Sequence, residues 1–268
     1  MTGAARYTHG HMAAVLASHA SRTAQNSAAH LLPHLQPGQR VLDVGCGPAT
    51  ITADLAELVA PGEVIGLDNA EEALDAARAT LRDRGVDGVQ LVRGDVYELL
   101  WPDEYFDVVH AHQVLQHLPD PVAALKEMLW VTRPGGIVAV RDAIYSAMTW
   151  YPQYEGMRAW QEIYIATARA NGGEPDAGSH LKAWCREAGF DEVTASASTW
   201  CYSTDEERSW WAETWAQRCL TSFGPRAVEL GLASHTDLEC MAADWRRWGE
   251  DRDGWFAVVH GEVLARAE

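Results

Sequence analysis

The stretch Arg40-Val41-Leu42-Asp43-Val44-Gly45-Cys46-Gly47-Pro48-Ala49-Thr50 constrains the fold more than any other part of the chain. A strand of buried character, Val41 to Val44, carries one acid and runs into glycines at 45 and 47. A helical apolar pattern follows at once in Ile51, Leu55, Leu58 and Val59. The glycines let the backbone turn sharply and leave no Cβ in the way of a ligand. Pro48 suits the first position of the helix, where its missing N–H costs nothing. The free N–H groups and positive dipole end of that helix then face the turn. The pattern predicts a nucleotide-type site after the first strand of an α/β sheet. A dinucleotide fingerprint needs a third glycine where this chain has Thr50, so the strict NAD reading fails.

Further strand–helix units follow in order. Val64 to Leu67 reads as a strand ending in Asp68, twenty-three residues beyond Gly45 and close to the ~20 expected for a carboxylate on a ribose. Asn69 is predicted to cap the next helix, with Glu72 as its capping-box partner. A third strand, Val89 to Val92, precedes Gly94-Asp95-Val96, and a fourth, Phe106 to His110, leads to Ala111-His112 and on to His117. Asp120 and Pro121 start a helix, Val122 to Thr132, which stops at Arg133-Pro134-Gly135-Gly136. The fifth strand, Ile137 to Val140, ends at Arg141-Asp142. Five βα units predict a doubly wound parallel sheet with its ligand crevice at the strands' carboxyl ends.

The set Asp43-x-Gly45-x-Gly47-x-Ala49, Asp68, Asp95 and Arg133-Pro134-Gly135-Gly136, in that order and spacing, resembles the class I S-adenosylmethionine (SAM)-dependent methyltransferases. Ala49 stands where many members have a third glycine. The Phe106–His117 stretch and the Arg133–Gly136 turn look like the small-molecule methyltransferases of quinone and natural-product biosynthesis. The resemblance implies a Rossmann-like seven-stranded sheet, mostly parallel with an antiparallel last strand, plus helical cap insertions. It also implies SAM as cofactor, held by Asp43, Gly45, Cys46, Gly47, Asp68, Asn69, Asp95, Val96, Ala111 and His112. Of these, Asp68 would take the ribose, Asp95 the adenine amino group, and Val96 the ring face. In some sugar-hydroxyl members, paired histidines after the fourth strand and an acid after the fifth serve as bases. The matching places here are Gln116-His117 and Asp142, so His117 is expected as the base and Asp142 as its orienting partner or a second base. His9, His11 and His112 are runners-up.

The expected organisation is an N-terminal helical lid (1–38), a SAM-binding core (39–146), a helical cap insertion (147–178) and the rest of the core (179–268). That last part holds strands six and seven and a second insertion at 205–250. Ten of twelve tryptophans fall between Trp150 and Trp255. Trp211 and Trp215 lie four apart, a spacing more typical of core than of a substrate cage. Any of these aromatics that did line a pocket would favour a flat or apolar acceptor, with a cation–π gain open to an amine. The acceptor atom, O, N or C, stays open.

Composition narrows the partners. With 38 Asp+Glu against 21 Lys+Arg, and no basic cluster, nucleic acid and anionic membrane surfaces are not expected partners. The five scattered cysteines form no C-x-x-C pair and read as reduced intracellular thiols. No histidine or cysteine spacing suggests a metal. Without a secretory pattern or a membrane-length apolar run, a soluble cytoplasmic enzyme for a small molecule is expected, with a homodimer left open. The rival readings are a SAM-binding cyclase or rearrangement enzyme of the same fold, or a non-catalytic SAM-binding protein.

Overall fold

The computed structural model describes residues 22–268. The expectations placed on residues 1–21 of the lid, and on His9 and His11 as bases, lie outside the described residues. Within 22–38 the predicted lid is a four-residue helix, α1 (Ala24–Ser27), and a single 3-10 turn, Leu32–His34. Ala24, Ala28 and Leu31 seal one face of the sheet.

The central elements alternate as the sequence predicts. They run β1 (Arg40–Val44), α2 (Thr50–Val59), β2 (Glu63–Asp68), α3 (Glu71–Arg84), β3 (Val89–Arg93), β4 (Phe106–His112), α4 (Pro121–Val131) and β5 (Thr132–Ala143). After β5 come β6 (Thr149–Tyr151), α5 (Glu155–Ala170), α6 (Ala177–Ala188) and β7 (Glu192–Tyr202). The chain closes with α7 (Asp205–Thr221), α8 (Phe223–Glu229), α9 (His235–Glu250) and β8 (Trp255–Arg266). Strands run in the order β3-β2-β1-β4-β5-β8, with β7 on the other edge of β8. Only β8 is reversed, antiparallel to both β5 and β7, as expected for the last strand.

The sheet has eight strands rather than seven. β7 occupies one edge of β8 along Phe256 to Arg266, so β5 and β6 must share the other. β6 therefore extends the line of β5 and begins the segment expected to be wholly helical. Two helix starts also differ from expectation. α2 starts at Thr50, not Pro48, because Ala49 turns left-handed at φ 58° before it. A left-handed φ of this kind is one that glycine adopts more easily than alanine. α3 has no side-chain cap; Asp68 Oδ1 takes the Ala70 N–H at 3.0 Å, and Asn69 is exposed. Asp120 does cap α4, accepting from the Ala123 N–H at 2.9 Å, with Pro121 at the first position. Arg133-Pro134-Gly135-Gly136 lies inside β5, where Arg133 Nε donates to Asp107 across the sheet at 2.5 Å.

Apolar side chains bury both faces of the sheet. Leu42, Val44, Val109 and Val140 pack under α4 and α6, while Val41, Val108 and Ala139 pack under α1 and α2. A separate aromatic core fills the region of α5, α7 and α9. The Trp160 ring meets Trp215 at 4.6 Å and Trp245 at 4.8 Å, both edge-on, as ring quadrupoles prefer. Capping boxes at Thr204/Glu207 and Ser234/Asp237 set the starts of α7 and α9.

Candidate active site

The carboxyl ends of β1, β2, β3 and β4 form one edge, and the glycine turn lies across it. Gly45 and Gly47 have φ of 65° and 54°. A Cβ on Gly45 would sit 2.5 Å from Val114 Cγ2, so the turn and the segment after β4 touch only because glycine is there. Asp68 Oδ2 accepts the Gly47 N–H at 3.0 Å, tying the end of β2 to the turn. Each Asp68 oxygen thus takes a backbone donor, and the residue is half-buried at the end of β2. Asp95 is exposed beyond β3, its Oδ1 accepting the Tyr97 N–H at 3.0 Å, and Val96 beside it is buried. Ala111 is fully buried. This cradle of bare backbone, with half-buried Asp68 and exposed Asp95 at its rim, fits the adenosyl part of SAM.

Two predicted cofactor residues also make contacts that hold the fold. Asp43 is 3% exposed, with Oδ2 accepting from the Thr52 hydroxyl at 2.6 Å and Oδ1 2.7 Å from His110 Nδ1. It locks β1 to α2 and β4. Cys46 is buried, and burial pushes its thiol well above the usual range, so it packs rather than reacts.

After β4 the chain turns at Gln113, with φ 54°, and its N–H donates to the Arg141 carbonyl at 2.7 Å. His117 lies on a 3-10 turn, Leu115–His117, with its Nε2 3.1 Å from Gln116 Nε2. Desolvation, followed by Arg22 and Arg218, pulls the His117 pKa down to about 3. Asp142 is fully buried at the end of β5. Its Oδ1 accepts the Gln116 N–H at 3.2 Å, and Oδ2 has no partner. Burial raises its pKa to about 8. Burial thus weakens His117 as a base and favours the protonated form of Asp142. Of the pair expected as bases, Asp142 also staples the loop after β4 to β5 through the Gln116 N–H. Runner-up His112 is buried with both ring nitrogens unpartnered, and burial drives its pKa well below the usual range.

Beside Gln113 a small cavity of about 20 Å³ lies under α7, so an acceptor would enter only as its wall side chains move apart. Trp200, Tyr202, Trp211, Trp215 and Tyr145 wall it, with Arg22 and Arg218 among its lining. Trp211 and Trp215 thus serve the aromatic core and the cavity wall together, so core versus cage is not a choice here. Sequence reading missed the two arginines and Gln113. Only contacts across 91 residues, such as Arg22 Nη2 donating to Gln113 Oε1 at 2.6 Å, bring them together.

Residues 35–209 match the family described as "Methyltransferase domain". The chain belongs to this family. The methyltransferase is 36% identical over 271 residues, covering 98% of this chain and 96% of its relative, to an "Uncharacterized methyltransferase" of Schizosaccharomyces pombe. A shorter match, 43% over 105 residues, 39% of this chain and 45% of the relative, is to the demethylmenaquinone methyltransferase of Geobacillus stearothermophilus. The crystal structure of the Bacillus YcgJ protein shares the fold, with a TM-score of 0.59 at 18% identity, covering 90% of this chain and 97% of that one. The protein is thus a SAM-dependent methyltransferase of class I with a Rossmann-like sheet. Among the described residues, no helix of this methyltransferase is long and apolar enough to cross a membrane.

Proposed function

We propose that this methyltransferase acts on a small, flat, largely apolar metabolite bound in the cavity between Gln113 and α7. The observation that carries this reading is the aromatic wall of Trp200, Trp211, Trp215 and Tyr145 beside the carboxyl end of β4. Aromatic side chains that share a wall with Gln113, Arg22 and Arg218 suit a planar organic ligand that also carries a polar group. SAM supplies a methyl group on a positively charged sulfur, so the chain's task is to align an acceptor with that methyl and keep water out.

On this reading the Gly45–Gly47 turn receives the cofactor backbone. Asp68 takes the ribose hydroxyls, Asp95 the adenine edge and Val96 the adenine face, while Ala111 and His112 close the floor. Asp43 holds the turn in place through Thr52 and His110. His117 and Asp142 fix the loop that borders the acceptor. Residues 22–38, with α5 and the 205–250 segment, act as the cover.

Purified protein with methyl-labelled SAM and a metabolite extract tests the assignment, with SAM binding measured on the same sample. Label transferred to a small molecule supports it and identifies the acceptor. Binding of SAM with label passing only to protein or nucleic acid would refute the small-molecule reading. Asp68→Ala tests the cofactor site. Loss of charge-assisted bonds worth roughly 1.5–3 kcal/mol should weaken SAM binding about tenfold or more. Unchanged affinity would remove Asp68 from the site.

A further inference from the structure

Gln113 stands at the corner where β4 ends, with a φ of 54°. A residue with a Cβ adopts this left-handed backbone at a cost, so the surrounding contacts must hold it there. The Gln113 N–H donates to the Arg141 carbonyl on β5 at 2.7 Å. Its side chain meets Arg22 of the N-terminal segment on one side, Nη2 to Oε1 at 2.6 Å. On the other it meets His260 of β8, Nε2 to Nε2 at 2.9 Å. These two partners lie 91 and 147 residues away along the chain. The next residue, Val114, is the one whose Cγ2 would lie 2.5 Å from a Cβ on Gly45. The corner after β4 and the cofactor turn are therefore packed directly against each other.

The chemistry of the two partners dictates the residue type between them. A guanidinium only donates, so Oε1 faces Arg22 and the amide nitrogen is turned to His260. His260 is fully buried, and desolvation, followed by Arg141 and Arg22, drives its pKa well below the usual range. Its neutral ring accepts at Nε2 and carries its proton on Nδ1. The groups facing that ring are Arg22, Arg141 from β5, His112 from β4 at 6.2 Å between ring centres, and Trp200 from β7 at 4.4 Å. Trp200 Nε1 in turn donates to the Asn26 carbonyl at 2.7 Å, so the same cluster holds the N-terminal segment a second time. One side chain must offer an acceptor to Arg22 and a donor to His260. Glutamate would need a charged imidazole, and leucine would serve neither partner. Backbone conformation alone favours glycine at this φ, so the two side-chain bonds are what call for glutamine.

We propose that Gln113 is a positioning residue for the cofactor: by bridging Arg22 and His260 it holds the corner after β4 against the Gly45–Gly47 turn. This rests on the placement of SAM at that turn given above and deepens it. Without the bridge, nothing in the side chain holds the corner left-handed. Val114 then no longer braces Gly45, and the turn that receives the cofactor loses one of its walls. Gln113 acts through the backbone it holds and takes no part in making or breaking bonds.

The test is calorimetric binding of S-adenosylhomocysteine to the full chain at pH 6, 7 and 8, with thermal unfolding of every variant. Gln113→Leu should weaken binding about three- to tenfold at each pH, the worth of a lost neutral hydrogen bond. Gln113→Gly should weaken it similarly, even though glycine suits the corner's backbone. Gln113→Glu still accepts from Arg22 but bonds to His260 only once that ring is protonated. The new carboxylate favours that charge, while burial, Arg141 and Arg22 oppose it. Its deficit relative to wild type should therefore shrink as pH falls from 8 to 6. Affinities within about twofold of wild type for the Leu and Gly variants, or a Glu deficit that ignores pH, overturn the proposal. Should Gln113→Leu fail to fold, the Gly and Glu variants decide. Asp68→Ala measured alongside separates the failures. If it weakens binding and the Gln113 variants do not, this inference alone falls. If it leaves affinity unchanged, the placement of the cofactor falls with it.

Discussion

Asp142 offers a clean test of the electrostatics at the end of β5. Asp142→Asn keeps an oxygen able to accept from the Gln116 N–H and removes the titration. In the folded protein burial moves this carboxyl from its usual 3.8 to about 8. The folded state therefore holds the proton more tightly than the unfolded state. Its stabilising contribution is fully present below about pH 4 and is lost as pH rises through 8. Each pH unit in that window is worth about 1.4 kcal/mol, so the whole span is on the order of 5 kcal/mol. Because Asn does not titrate, the variant's stability relative to wild type should climb steadily from pH 4 and level off above 8. The difference cancels the other titrating groups common to both proteins. Urea unfolding of both proteins at pH 5, 7 and 9 gives it directly. Parallel stability profiles for the two proteins would refute the buried, proton-holding carboxyl. An advantage of the variant that shrinks toward alkaline pH would refute the sign of the argument.

Gly45→Ala should disturb fold and cofactor site together. The new Cβ would lie 2.5 Å from Val114 Cγ2 at a φ of 65°. A loss of about 1–3 kcal/mol by thermal unfolding is expected, with SAM binding weakened by calorimetry; wild-type values of both would show that the turn has room. Trp160→Ala should remove about 3–5 kcal/mol of stability, since the ring is fully buried among Trp215, Trp245 and Tyr164. A change below ~1 kcal/mol in denaturant unfolding would mean that the aromatic core is not cooperative with the sheet.

The alternating sheet and the identity of the turn were legible because both are local. The apolar runs at Val41–Val44, Val64–Leu67 and Phe106–His110 each become a parallel strand, and glycines at 45 and 47 mark left-handed backbone wherever the chain is read. Asp68 reaches the turn because a strand of fixed rise delivers it there. Asn69 misled because a cap motif is a local preference, and a neighbouring carboxylate took the amide first. Pro48 misled for a similar reason: the close approach at Gly45 and the left-handed Ala49 postpone the helix to Thr50. Capping boxes at Thr204/Glu207 and Ser234/Asp237 were readable signals that would have set the cap helices' starts.

By itself the sequence determined the order of strands and helices, the glycine turn and the acids at the strand ends. Periodicity, capping and left-handed backbone act over a few residues, so a linear reading contains them. Only the tertiary structure decided how the far parts of the chain meet. Arg22 reaches Gln113, Arg218 joins the cavity from α7, and β8 turns back to sit between β5 and β7. Burial likewise changed chemistry that residue type alone suggested. Residue type suggests His117 and Asp142 as bases, and desolvation lowers the proton affinity of one and raises that of the other. Desolvation depends on what surrounds a side chain in space, and spacing along the chain does not encode it.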